Sequence, residues 1–96
     1  MTFEFDPAKS KANKLKHRID FEEAQELWAG PVVEVPSASV TEERWLVIGQ
    51  ITGRSWTAIM TRRGDNIRII SVRRSHTKEE ELYEKIQSDL RKRTRR

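Results

Sequence analysis

The chain of 96 residues has no cysteine, so disulfides and thiolate zinc sites are excluded. It also lacks any run approaching the roughly 18 to 20 unbroken apolar residues of a membrane span, and a transmembrane protein is not expected. The opening Met1-Thr2-Phe3-Glu4-Phe5-Asp6 has no basic stretch ahead of an apolar block, so no secretory signal is expected and the expected setting is cytoplasmic. No Gly-x-Ser-x-Gly elbow, Gly-x-Gly-x-x-Gly turn or phosphate loop occurs, which argues against triad hydrolases and nucleotide-cofactor enzymes. The two histidines, His17 and His76, are far apart and form no His-x-x-x-His ligand pair, so no metal site and no cofactor is expected. No internal repeat is visible.

What the chain does have is charge, 35% of its residues, against 35% hydrophobic. A chain this short has room for one core, so residues 1–90 read as a single domain. The net charge of +4 is unevenly spread. Residues 91–96 hold five of the 19 Lys and Arg, which leaves 14 cations against 15 acids in residues 1–90. With nothing apolar beyond Leu90, residues 91–96 are expected to be a basic, disordered tail. Within the body, positive charge is grouped at Lys9, Lys11, Lys14, Lys16 and Arg18, and again at Arg62, Arg63, Arg68, Arg73 and Arg74.

Phe3-Glu4-Phe5 alternates and predicts a short strand ending at Asp6-Pro7, an N-cap followed by proline at the first helical position. Helix is predicted over Ala8 to His17, with Ala8, Ala12 and Leu15 inward. Asp20 and Glu23 have capping-box spacing, with Ile19 placed to staple onto Ala24. Phe21, Ala24, Leu27 and Trp28 predict a second helix that Gly30-Pro31 stops. Strands follow at Val32 to Val35, Arg44 to Ile51, Ser55 to Thr61 and Ile67 to Arg74. A polar loop is expected from Ser37 to about Glu43, and tight turns at Thr52-Gly53 and Gly64-Asp65-Asn66, the last three strands making an antiparallel meander. Thr77 to about Leu90 is predicted helical, with Leu82, Ile86 and Leu90 as its apolar side and Tyr83 beside them. The predicted fold is α+β, two N-terminal helices packed on an antiparallel sheet with a C-terminal helix.

The segment Thr61-Arg62-Arg63-Gly64-Asp65-Asn66-Ile67-Arg68-Ile69-Ile70-Ser71-Val72-Arg73-Arg74 carries the chemistry. Strict alternation sets Ile67, Ile69, Ser71 and Arg73 on one face and Arg68, Ile70, Val72 and Arg74 on the other. An arginine flanked by aliphatic residues is half desolvated, and its planar fork suits bidentate phosphate contact. The competing reading is a strand whose solvated ends pair with Glu34, Glu42 or Glu43. His17 reads either as a partner of a helix C-terminus or as a general base near the arginines. Trp28 and Trp45 read as core. Trp56 is either core or a platform for a base.

In this order of residues the chain resembles the BrnT toxins of type II toxin–antitoxin systems, whose fold is similar to that of RelE ribonucleases. The resemblance spans nearly the whole chain. It is carried by Phe3-Glu4-Phe5-Asp6 with Pro7, Lys9, Asn13 and Lys16-His17, by Phe21-Glu22-Glu23-Ala24, and by Glu43-Arg44 with Gly49. It continues in Thr61-Arg62-Arg63-Gly64, Ile67-Arg68-Ile69-Ile70-Ser71 and Arg73-Arg74 followed by Glu79 and Tyr83. The chain departs from the family at Arg62, where Glu is usual, and at Val72 and Ser75, where Ala is usual. The resemblance implies an endoribonuclease that inhibits translation and growth. Its implied partner is a BrnA-like ribbon-helix-helix antitoxin, in a 2:2 heterotetramer that binds operator DNA through the antitoxin.

RNA supplies its own nucleophile, the 2′-OH, so such an enzyme needs no metal. It must remove a proton, stabilise the dianionic phosphorane and protonate the leaving oxygen. On that basis Arg63, Arg68, Arg73 and Arg74 are the candidates for phosphate stabilisation and His17 for acid or base, with Lys16, Thr61, Ser71 and Tyr83 in support. The alternatives are a non-catalytic nucleic-acid-binding module and a protein-interaction module.

Overall fold

The computed structural model describes residues 2–37 and 43–94, with the elements β1 (Thr2–Glu4), α1 (Pro7–His17), a 3-10 helix (Glu23–Ala29), β2 (Val33–Ser37), β3 (Arg44–Ile51), β4 (Arg54–Arg63), β5 (Asn66–Arg74) and α2 (Thr77–Thr94). Strands β3, β4 and β5 form the predicted antiparallel meander. Thr52 and Gly53 both take positive φ in the two-residue β3–β4 turn, and Gly64, at φ 60°, opens the β4–β5 turn. Both turns have the handedness that matches strand twist. The loop expected at 37–43 lies largely outside the described residues.

The five strands order as β1-β5-β4-β3-β2. The sheet is mixed rather than antiparallel, because β1 runs parallel to β5, pairing Thr2, Phe3 and Glu4 with Asn66, Ile67 and Arg68. A parallel pair needs a long crossover. Here everything from α1 to β4 supplies it.

One α-helix, not two, precedes β2. The expected second helix is the 3-10 segment Glu23–Ala29. Phe21, Ala24 and Leu27, spaced by three, are all buried, and a three-residue repeat stays on one side of a 3-10 helix, whereas it drifts around an α-helix. The reciprocal cap is present, Asp20 N–H donating to Glu23 Oε1 at 3.0 Å and Glu23 N–H to Asp20 Oδ1 at 2.7 Å.

Helix α1 starts as predicted, with Pro7 in its first turn and Asp6 Oδ1 accepting from Ala8 N–H at 2.9 Å. Its inward side is not Ala8, Ala12 and Leu15 but Ser10 and Asn13, and Leu15 is 86% exposed. The reason is that α1 lies along β5 where β1 has already ended, and the free strand edge demands polar partners. Asn13 Nδ2 donates to Val72 O at 3.0 Å and Ile19 O at 2.8 Å, while Asn13 Oδ1 accepts from Val72 N–H. Ser10 Oγ accepts from Phe21 N–H.

One face of the sheet carries the main core, with Val47, Trp56, Ala58, Met60, Ile67, Ile69 and Val72 packed under Phe21, Ala24 and Leu27. On the opposite face α2 packs over β2 and β3, where Tyr83 and Ile86 meet Val33, Val35 and Ile48, and its first turn reaches Thr57 and Arg73 through Glu79. The inward residues of α2 are therefore Glu79, Tyr83 and Ile86 rather than the expected Leu82, Ile86 and Leu90. Leu82 and Leu90 are exposed. The helix continues through Thr94, so most of the segment expected as a disordered tail is helical. Arg91, Lys92 and Arg93 in its last turn suit the negative end of the helix dipole.

Candidate functional site

Strand β5 does not alternate strictly. Met60 pairs with Ile69 and Ile59 with Ser71, so Ile70 is an extra residue without a cross-strand partner, a β-bulge. The bulge reverses the parity of everything after it. Val72 joins Ile67 and Ile69 in the core, while Ser71 and Arg73 turn to the face of Arg68. The face assignment expected from alternation is thus corrected. Arg68, Ser71 and Arg73 share the open face, and Arg74 lies on the core side with its guanidinium over the Trp56 ring at 5.4 Å.

Cross-strand neighbours complete the open face. Arg63 pairs with Asn66, Thr61 with Arg68 and Thr57 with Arg73, which places these side chains on the same side. Glu4, opposite Arg68 on β1, lies between two cations, 3.4 Å from Arg68 Nη1 and 3.9 Å from Arg63 Nε. It also accepts from Asn66 Nδ2 at 3.2 Å. The Glu4 carboxylate and the Arg68 guanidinium are each about one-third exposed, 32% and 33%, a loose pairing that solvent and ligand reach. Of the helices, α2 reaches the β5 part of this face at Arg73, through Glu79.

The other end is tighter. Glu79 grips Arg73 end-on, Nη1 donating to Oε1 at 2.8 Å and Nη2 to Oε2 at 2.9 Å. Glu79 Oε1 further accepts from Thr57 Oγ1 at 3.0 Å and from His76 N–H at 2.8 Å. Of the five Arg73 donors, those on the Nε–Nη2 side have no partner among the described residues. Arg73 is a fixed fork with one bidentate edge unpartnered among the described residues. Arg68 and Arg73 are five residues apart on the strand, roughly 15 Å at about 3.3 Å per residue with one residue bulged. The cations form a track along β5 and do not converge on a single point.

The hydrogen bonds from Arg73 hold the Glu79 carboxyl at about 2 against an ordinary 4.5, helped by the His76 N–H and the Thr57 hydroxyl and opposed by burial. A carboxylate depressed in the folded state adds stability that is complete above the unfolded value near 4.5 and disappears as pH falls toward 2. The Glu79 side chain is mostly buried, 14% exposed, so a contribution on the order of 3 kcal/mol is expected at neutral pH. Urea unfolding followed from pH 6 to pH 2 is therefore expected to lose about this much in the wild type. In Glu79→Gln that component of the acid limb should be absent; an identical limb in both proteins would refute the coupling.

The remaining candidates fall elsewhere. Thr61 is on the face but its hydroxyl is committed to Glu43 O at 2.7 Å. Ser71 is on the face, half-buried, with its hydroxyl unpartnered among the described residues. Tyr83 is a core residue under α2, its phenol donating to Pro31 O at 3.3 Å. His17 closes α1, half-buried, and Lys16 beside it is exposed; no hydrogen bond or ion pair joins either to the open-face arginines among the described residues. Arg62 is on the core side, its Nη2 donating to both carboxylate oxygens of Glu34 at 2.9 and 2.7 Å, with its guanidinium over the Trp45 ring at 5.4 Å. Arg62 thus stays off the open face.

Two carboxylates were missing from the candidate list, Glu4 and Glu79. Alternation in Phe3-Glu4-Phe5 already turned Glu4 away from the aromatic side, but its neighbours depend on β1 pairing with a strand 60 residues later. Among the described residues no group of three or more His, Asp or Glu could hold a metal ion, and no helix is long and apolar enough to cross a membrane. A family model described as the ribonuclease toxin BrnT of type II toxin–antitoxin systems matches residues 5–79. No curated protein matches the chain.

Proposed function

The chain belongs to the BrnT family of ribonuclease toxins of type II toxin–antitoxin systems, and from that premise we propose that it is a metal-independent endoribonuclease whose cleavage centre is Glu4 with Arg63 and Arg68. The observation that carries this reading is a reachable carboxylate set between two guanidinium groups on an open sheet face. Glu4 takes the 2′-OH proton, and the 2′ oxygen attacks the adjacent phosphorus in line with the departing 5′ oxygen. Arg63 and Arg68 neutralise the charge that builds on the non-bridging oxygens, which arginine does at any usable pH. The 5′ oxygen leaves and takes a proton from water at this open face. The products are a 2′,3′-cyclic phosphate and a 5′-hydroxyl.

Arg73 holds a second phosphate through its open Nε–Nη2 edge, and Ser71 stands between the two positions. Glu79, clamped and strongly acidic, orients Arg73 and is a poor base. His17, without a contact to this face, is not needed for the chemistry. Cleavage of RNA inhibits translation and growth. A BrnA-like ribbon-helix-helix antitoxin neutralises the toxin as a 2:2 heterotetramer and carries the pair to operator DNA, an assignment that rests on the resemblance.

Chain purified free of antitoxin, incubated with RNA in excess EDTA, is expected to cleave it and leave 2′,3′-cyclic phosphate ends. Added antitoxin should stop the reaction. Cleavage that requires a divalent metal, or products with 3′-hydroxyl ends, would overturn the mechanism, and RNA retained without cleavage would favour a binding module.

A further inference from the structure

Seven of the arginines fall into two sets by their ion pairs. Arg62, Arg63, Arg68 and Arg73 each face a carboxylate, Glu34, Glu4 or Glu79. Arg18, Arg54 and Arg74 have no carboxylate partner among the described residues, and all three gather at one end of the sheet. Arg18 follows the last turn of α1, Arg54 opens β4 after the Thr52-Gly53 turn, and Arg74 closes β5. Arg18 and Arg54 line a hollow of about 440 Å³ together with Thr52 and the apolar Ile19, Ile51 and Trp56. Its one acid, Glu23, is bound to Lys14 and to Asp20 N–H. Arg74 lies over the Trp56 ring from the neighbouring side, its Nε donating to Ser55 O at 3.2 Å. An adjoining hollow of about 270 Å³ shares Arg54 and includes Arg74, but Glu80 and Glu84 line it, which disfavours an anion there.

We propose that the hollow rimmed by Arg18 and Arg54 is a second phosphate-binding subsite, which holds the RNA backbone away from the cleavage centre. Unpaired guanidinium groups bind phosphate without first giving up a carboxylate, so the strongest phosphate attraction is here and not at the paired arginines. Ile19, Ile51 and Trp56 give the hollow an apolar wall beside the two guanidinium groups. The path from Arg68 passes Arg73 and Arg74, six residues or roughly 20 Å along the strand, before it reaches Arg54. A dinucleotide cannot span that distance, whereas a longer strand can. This assignment of RNA as the occupant rests on the ribonuclease reading, and the subsite itself has its own test.

The test compares the wild type with R18N/R54Q, in which Asn accepts the left-handed conformation that Arg18 adopts at φ 65°. Filter binding of a 20-nucleotide single-stranded RNA carrying 2′-deoxy sugars throughout its cleavable positions is measured from 50 to 300 mM salt, alongside cleavage of a dinucleotide. The double variant is expected to bind the 20-mer at least about tenfold more weakly at low salt, with the salt slope reduced by about 1.4 for two lost contacts to a single strand. Dinucleotide cleavage should be unchanged. An unchanged affinity and slope overturns the subsite, and so does loss of antitoxin binding with RNA binding intact, since the hollow would then be a protein interface. A wild-type chain that cleaves neither the dinucleotide nor an all-ribose 20-mer overturns the nuclease reading instead, while the binding comparison still decides the subsite.

Discussion

Arg68→Ala is expected to slow RNA cleavage by about 10² to 10³-fold, the effect of removing one preorganised donor from the developing phosphorane, and to abolish growth arrest on expression. The fold should barely notice. Arg68 meets Glu4 at 3.4 Å with both side chains about one-third exposed, 33% and 32%, and ion pairs of that kind contribute roughly 0 to 1 kcal/mol. Unfolding in urea should therefore shift little while single-turnover cleavage collapses. Arg68→Lys keeps the charge but loses the fork and should recover only part of the rate. Arg73→Ala makes an instructive contrast, because it strands the clamped Glu79 carboxylate, whose pKa near 2 depends first on Arg73. Loss of activity there would mix lost phosphate contact with lost stability. Wild-type cleavage rates in Arg68→Ala would remove Arg68 from the chemistry, and with it the assignment of Glu4 as the base.

The contrast between these two arginines marks how far local sequence reaches. The meander, both tight turns, the Asp6 cap and the Asp20–Glu23 cap were legible because each depends on residues within four positions of one another. The arginines of β5 were legible as residue types, but their faces were not. A bulge at Ile70 is decided by how β5 must twist against β4, and nothing in Ile69-Ile70-Ser71 distinguishes a bulged residue from a paired one. The inward side of α1 failed for a related reason. Helical periodicity favours Ala8, Ala12 and Leu15, yet the surface that α1 meets is an unpaired strand edge at Val72, so hydrogen bonding by Asn13 decides the orientation. The parallel pairing of β1 decides the partners of Glu4 in the same way. Long-range pairing, not composition, creates the candidate centre.

Gly49→Val should give the opposite signature, a protein that fails by unfolding while each folded molecule still cleaves. Gly49 lies on β3 beneath the 3-10 segment, where an added Cβ would sit 3.0 Å from Leu27 Cδ2, 3.1 Å from Val32 Cγ1 and 3.6 Å from Pro31 O. Leu27 is fully buried, and the first two contacts are tighter than ordinary packing allows, so alanine already asks its neighbours to move by tenths of an ångström. Valine adds two further methyl groups at this crowded position, and overpacking of this kind costs about 1 to 3 kcal/mol. For a domain of this size that lowers Tm by roughly 5 to 20 °C. Most of the cost lies in lifting Leu27, the residue that with Phe21 and Ala24 seats the 3-10 segment on the core. Glu4, Arg63 and Arg68 are on the far face of the sheet, so cleavage per folded molecule, corrected by the unfolded fraction measured in the same buffer, should match the wild type. A valine variant as stable as the parent would show that the 3-10 segment is not seated on Gly49 as described.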